Sequence, residues 1–218
     1  MTNAPACRFC AKPDPFRIAL VSKYFYVLFS LGPIIEGYTL IVSNDHTSCC
    51  AAISEKAVIE FMALQRAVSI AQQSIYGCST YYEHGRTGSC LHDQTGGTHC
   101  YHAHLHLVPT PLSVVNEMRS CQNVIHISDW DTFRTLYRQS KYSYILAKDK
   151  DGLGIAFNPT AIRRQYLRSI VANFYGKSDL ADWIKRPDHE LIQKAVIRLG
   201  PEIRKQASLL NIDYYQAT

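Results

Sequence analysis

The sequence predicts an α+β fold, and three observations carry the prediction: aromatic and β-branched runs crowd the first half, one long stretch keeps an unbroken helical period, and helical patterns dominate the last third. Strands that come first and helices that come later favour α+β over the alternation of a doubly wound sheet. With 218 residues, 47% apolar and 19% charged, the chain can bury the core of one domain, or of one domain with an appendage. The net charge of +5 is diffuse apart from "IRRQYLR" (162–168) and "WIKRPDH" (183–189). Such clusters suit a phosphorylated substrate and an ordinary solvated surface equally, with no strong nucleic-acid signal.

"KYFYVLFS" (23–30) and "GYTLIVS" (37–43), separated by the turn-bearing "LGPIIE", read as paired strands. From Ser54 to Tyr76 apolar residues recur at three and four (Phe61, Leu64, Val68, Ala71, Ile75), with Ser54 placed as N-cap and Gly77 as the stop. "STYYEHG" (79–85) is a strand entering a Gly-rich loop with Cys and His at 85–99, and the strand that leaves it is closed by Pro109 and Pro111. Beyond lie strands near 121–127 and 142–147, a short helix at 129–140 and a hairpin-like "KDKDGLGIAF". Thr160 is placed as the cap of "AIRRQYLRSIVANFY", which Gly176 ends, and 188–210 reads as helical with a break at Gly200-Pro201. The boundary between two units is set at residue 115.

"MTNAPACRFC" has no basic segment followed by an apolar run, and nowhere do eighteen apolar residues run together, so an unsecreted, cytoplasmic protein without a membrane partner is expected. Its eight cysteines are then reduced thiols and candidate ligands rather than a disulfide framework.

"GGTHCYHAHLHLVPT" (96–110) carries four histidines. In a strand, His102, His104 and His106 share one face while Ala103, Leu105 and Leu107 pack on the other. That gathers three imidazoles within about 14 Å at roughly 3.4 Å per residue. Solvated strand faces ordinarily use Thr, Lys, Glu and Ser, so a merely tolerated polar face explains the pattern poorly. A zinc hydrolase using His-x-His is a second reading, but the chain is short for a barrel of about 250 residues, and a cupin-like site finds only a distant Glu117. In the third reading His104 is a nucleophile: a neutral imidazole attacks phosphorus well, and its neighbours orient it and stabilise the phosphoryl oxygens.

"HAHLHLV" fits the His-φ-His-φ-His-φ-φ signature, and the chain resembles the histidine triad (HIT) superfamily of nucleotide hydrolases and transferases. "VLFSLGPIIEGYTLIVSNDH", the helix at 54–76 and "YYEHG" are similar to the matching parts of that family's longer bacterial branch, and "QYLRS" and "ADWIKRP" echo its C-terminal extension. The resemblance implies a HIT-like fold: an antiparallel sheet with a long helix over 1–115, and a mixed extension over 116–218 packed on it. It implies that His104 forms a nucleotidyl-histidine intermediate and that His106 contacts the α-phosphate. Ser30 falls where many members have an acidic ribose contact. Thr98 and His99 fall where many have Gln and a hydroxyl residue, so either is a candidate leaving-group acid. Arg164, Gln165 and Arg168 are candidates for distal phosphate or leaving-group contacts.

"CRFC" (Cys7, Cys10) has zinc-knuckle spacing, yet a structural site wants four ligands. Zinc-containing HIT relatives complete such a pair at positions matching His46 and His102, which implies a structural Zn²⁺. Cys90, Cys100, His84 and His92 form a rival cluster, and Cys49, Cys50, Cys78 and Cys121 read as small packing residues. The expected function is hydrolysis at the α-phosphate of a nucleotide, an adenine nucleotide first, by P–N or P–O cleavage of the phosphoramidase or dinucleoside-polyphosphate type. A nucleotidyltransferase or phosphorylase, a metalloenzyme with the triad as ligands, and a nucleotide-binding regulator stay open, as does a homodimer.

Overall fold

The computed structural model describes residues 7, 9–11, 13–85, 102–140, 142–160, 162, 165–183 and 187–217. Among them, nine strands form one sheet: β1 (Ile18–Ser22), β2 (Phe25–Phe29), β3 (Thr39–Ser43), β4 (Thr80–Gly85), β5 (His104–Val108), β6 (Ile125–Ile127), β7 (Tyr144–Asp149), β8 (Gly152–Phe157) and β9 (Tyr214–Tyr215). Their spatial order is β6-β8-β7-β4-β5-β3-β2-β1-β9, with every neighbouring pair antiparallel. Five helices cover it: α1 (Glu55–Tyr76), α2 (Val114–Arg119), α3 (Trp130–Ser140), α4 (Tyr166–Phe174) and α5 (His189–Leu209). The expected α+β class, antiparallel sheet and long helix are what the chain forms.

The sheet separates two cores. On one side Phe61, Leu64 and Val68 of α1, Trp130 and Phe133 of α3 and Ile192, Leu199 and Ile203 of α5 pack with Leu105 and Leu107 of β5. On the other, Val114 and Met118 of α2 and Leu167 and Val171 of α4 pack with Leu40, Val42, Tyr82 and Val108. Because β7 pairs with β4, residues beyond 115 extend the same sheet that β5 lies in.

α1 lies between the caps Ser54 and Gly77, as its period predicts, and Gly77 closes it at φ +79° with its N–H on the Gln73 carbonyl. Strand β1 and helix α2 are elements that the sequence reading left unassigned. Two boundaries also differ. The side chain of Gln122 grips the Thr160 backbone from both sides, accepting from its N–H at 3.1 Å and donating to its carbonyl at 2.9 Å. Thr160 does not cap a helix; α4 begins at Tyr166, after Gln165 at φ +58°.

α5 passes through Gly200-Pro201 unbroken. Proline inside a helix costs about 3 kcal/mol, but Ile192, Leu199 and Ile203 of α5 are fully buried, each worth about 1.5–3 kcal/mol. The carbonyl that Pro201 cannot satisfy belongs to Ile197, a residue 66% exposed. No helix among the described residues is long and apolar enough to cross a membrane.

Candidate active site and metal cluster

β5 lies between β3 and β4, with His104 opposite Val42, and His106 opposite both Leu40 and Tyr82. Residues opposite one another in an antiparallel pair share a face, so the two imidazoles stand with Tyr82 on the side of α2 and α4. Extending that register by two residues brings His84 opposite His104. Leu105 and Leu107, on the opposite face from the histidines, are fully buried under α1 and anchor the strand.

His104 Nδ1 is 2.7 Å from the His102 carbonyl. A carbonyl only accepts, so Nδ1 carries the proton and Nε2 keeps its lone pair. Burial lowers the pKa of this imidazole, against the opposing pull of the same hydrogen bond. The rings of Phe9 and His106 lie 4.8 Å and 4.9 Å from it. His106 Nδ1 is 2.9 Å from the Tyr38 hydroxyl, and its ring stacks on Tyr82 at 5.0 Å. Burial first, then His104, Arg168 and His84, hold the His106 pKa well below its ordinary value. His84 accepts the Leu167 N–H at 3.0 Å through Nε2, and burial pushes it down to about 3. Burial thus biases the imidazoles of this face toward the neutral form.

Ser30, just after β2, is 4% exposed and donates to the Leu31 carbonyl at 3.2 Å. Gln165, before α4, reaches Asp182 at 3.5 Å through its amide nitrogen, while its Oε1 is buried with no hydrogen-bond partner among the described residues. Arg168 directs its guanidinium onto the carbonyls of Gly32, Leu180 and Ala181 at 2.7–3.0 Å and lies over the Tyr38 ring. It thereby ties the stretch after α4 to the turn after β2. Thr98, His99 and Arg164 lie outside the described residues, as do Cys90, His92 and Cys100 of the rival cluster.

The four ligands proposed from spacing and resemblance converge. Cys7, Cys10, His46 and His102 bring their sulfur and nitrogen atoms within 4.8 Å of one another, a set that could hold a metal ion. Cys10 Sγ is 3.2 Å from His46 Nδ1 and 3.6 Å from His102 Nδ1, and Cys7 Sγ is 3.4 Å from His102 Nδ1. His102 Nε2 lies 2.7 Å from the Ser43 carbonyl, so its proton sits there and Nδ1 is free to coordinate. A tight turn, with the Cys10 and Ala11 N–H groups both on the Cys7 carbonyl, sets the cysteine pair. Cys7 stands in a disulfide here, while the other five described cysteines are free. Metal binding by Cys7 therefore requires its reduced form.

Phe9, Tyr38 and Tyr82 escaped the sequence reading. Phe9 sits inside "CRFC", and the tyrosines look like ordinary strand aromatics until the register places them against the histidines.

No protein-family model matches the chain, and no curated protein matches it. Among solved structures it is similar to a hypothetical histidine triad nucleotide-binding protein from Sulfolobus tokodaii, at 17% identity and TM-score 0.34, over 43% of this chain and 60% of that one. A HIT family protein from Bacillus anthracis shares 16% identity at TM-score 0.36, over 49% and 74% of the two chains. A Zn-bound histidine triad family protein from Mycobacterium smegmatis shares 19% at TM-score 0.34, over 48% and 74%. The chain thus spans 60% of the length of the first and 74% of the other two. At these values the likeness is one of structure, to proteins named for a histidine triad.

Proposed function

We propose that the protein is a nucleotide hydrolase of the histidine triad type, acting at the α-phosphate through His104. The observation that carries the reading is the 2.7 Å bond from His104 Nδ1 to the His102 carbonyl, which leaves an electron pair on Nε2 of a neutral ring beside a second imidazole. In the first step Nε2 bonds to phosphorus as the bond to the leaving group breaks, and the leaving group departs with a proton. His106 donates to a phosphoryl oxygen as charge develops there. In the second step water attacks phosphorus and returns a proton to the group that gave one to the leaving group, the P–N bond breaks with its electron pair returning to Nε2 of His104, and the nucleoside monophosphate leaves. Thr98 and His99 remain the proposed sources of the leaving-group proton. The buried Gln165 Oε1, short of a partner, supports a role for that side chain toward the substrate. Residues 116–218 act in this reading as the extension that lines the site through α4.

The cysteine and histidine cluster is proposed as a structural zinc site. Tetrahedral zinc with bonds of about 2.3 Å to sulfur and 2.0–2.1 Å to nitrogen sets sulfur and nitrogen about 3.5 Å apart, close to the 3.2–3.6 Å found. A zinc ion there would fix "CRFC" to the start of β5 and leave His104 and His106 to the substrate. Placing His102 with the cysteines also favours this reading over one with the triad as metal ligands.

The test is a panel of adenosine phosphoramidates, dinucleoside polyphosphates and nucleotide sugars, with and without phosphate as acceptor, resolved by chromatography. Release of a nucleoside monophosphate is expected, with an adenylylated peptide containing His104 trapped by mass spectrometry. His104→Gly should lower turnover by at least about 10³-fold, as loss of a nucleophile does. Transfer to phosphate in place of water would select the phosphorylase reading. Turnover by His104→Gly at the parent rate would end both.

A further inference from the structure

We propose that Tyr38, with Tyr82 behind it, is a positioning residue that fixes the proton of His106 on Nε2, so that this imidazole faces the site as a hydrogen-bond donor. The purpose of that donor rests on the reading of the face as a phosphate site; the proton order itself rests on three atoms. The Tyr38 hydroxyl lies 2.9 Å from His106 Nδ1 and 2.5 Å from the Tyr82 hydroxyl. Both tyrosines are buried, at 1% and 0% exposure, with rings meeting edge to face.

A phenol has one proton to give. Were His106 protonated on Nδ1, it would donate to Tyr38, Tyr38 would donate to Tyr82, and the Tyr82 proton would be left buried with no acceptor among the described residues. Such an orphan costs about 1–3 kcal/mol. An imidazolium would create the same orphan and add a cation facing Arg168, whose guanidinium lies 5.0 Å over the Tyr38 ring. The opposite order satisfies every group: Tyr82 donates to Tyr38, Tyr38 donates to Nδ1, and the remaining proton of His106 is on Nε2. Low exposure strengthens such a chain, since water does not compete with it.

Local sequence prepares the contact. Gly37 turns the chain at φ +84°, and a Cβ there would stand 2.5 Å from the Tyr76 ring, so the residue that launches Tyr38 into the site has to be glycine. His104 and His106 are therefore held in opposite tautomers by different partners. A carbonyl that only accepts makes Nε2 of His104 a nucleophile; a phenol that is itself being donated to makes Nε2 of His106 a donor.

Histidine-selective ¹⁵N labelling tests this without substrate, because ring-nitrogen shifts and their couplings to carbon-bound protons separate the tautomers. His106, assigned by the signal lost in His106→Gln, is expected in the Nε2–H form at neutral pH. Tyr38→Phe should move it to the Nδ1–H form or to a mixture, and Tyr82→Phe should shift it less. On a substrate from the panel, Tyr38→Phe should lower kcat by at least about tenfold, wrong-tautomer histidines being strongly impaired, with KM little changed. Finding His106 in the Nδ1–H form in the parent protein overturns the proposal, whichever variants fold. So does an unchanged Nε2–H signature in a folded Tyr38→Phe protein. If the hydrolase reading alone is wrong, the tautomers stay as assigned while the whole panel is left uncleaved.

Discussion

Glu83 shows how much one residue on the far face of β4 sets. It is 1% exposed, accepts the Cys50 N–H at 2.7 Å and the Tyr144 hydroxyl at 2.5 Å, and burial pushes its carboxyl up to about 7 against those two bonds. A carboxyl raised on folding binds more protons in the native state. Its contribution to stability is complete below the unfolded value of 4.5 and is lost as pH rises through about 7. Glu83→Gln removes that titration, so the variant should gain on the parent as pH rises from about 5 to 8, by up to about 3 kcal/mol. Urea midpoints at stepped pH measure it, and a difference that stays constant with pH would refute it. Residue placement was legible in the sequence where alternation alone defines it, as for the shared strand face of His104 and His106. It was illegible for Tyr38, Tyr82 and Phe9, because those contacts depend on a register between strands some sixty residues apart, or on a turn at the chain's start, that no local pattern encodes.

At the scale of elements, local period sufficed wherever an element's neighbours agreed with it, and α1 and the β7–β8 hairpin followed from it. The expectations failed where a distant partner overruled the local signal: the Gln122 side chain takes both backbone groups of Thr160, and burial of the α5 stripe carries that helix through Gly200-Pro201. His84 adds a coupling between elements, since its Nε2 takes the first-turn Leu167 N–H of α4, a group that otherwise lacks an intrahelical acceptor. Removing the acceptor leaves that buried donor unpaired, at about 1–3 kcal/mol. His84→Ala should therefore raise hydrogen exchange in peptides covering 166–174 by about tenfold or more, while peptides from α1 keep their protection. Equal loosening of both helices would indicate a general loss of stability and sink the coupling.

Across the whole molecule, the candidate metal ligands join points far apart in sequence. Residues 7 and 10 precede the sheet, His46 follows β3 and His102 leads into β5, and Phe9, held between the two cysteines, lies against the His104 ring. An ion at that junction would close loops of about forty and ninety residues and would bind the folded chain in preference to the unfolded one. A sulfur committed to a disulfide is no thiolate ligand, so zinc binding at this junction should depend on redox state. At free zinc a thousandfold above Kd, binding adds about 4 kcal/mol, which for a chain of this size is roughly 10 °C in Tm. Reduced protein should therefore bind about one zinc per chain and melt about 10 °C higher with zinc than after chelation. Oxidised protein and Cys10→Ser should lose most of that increment, since each removes one of four ligands. Thermal melts paired with elemental analysis decide the matter: a reduced protein whose Tm ignores zinc, or a Cys10→Ser variant that keeps the full shift, would show that the four side chains converge without holding the ion.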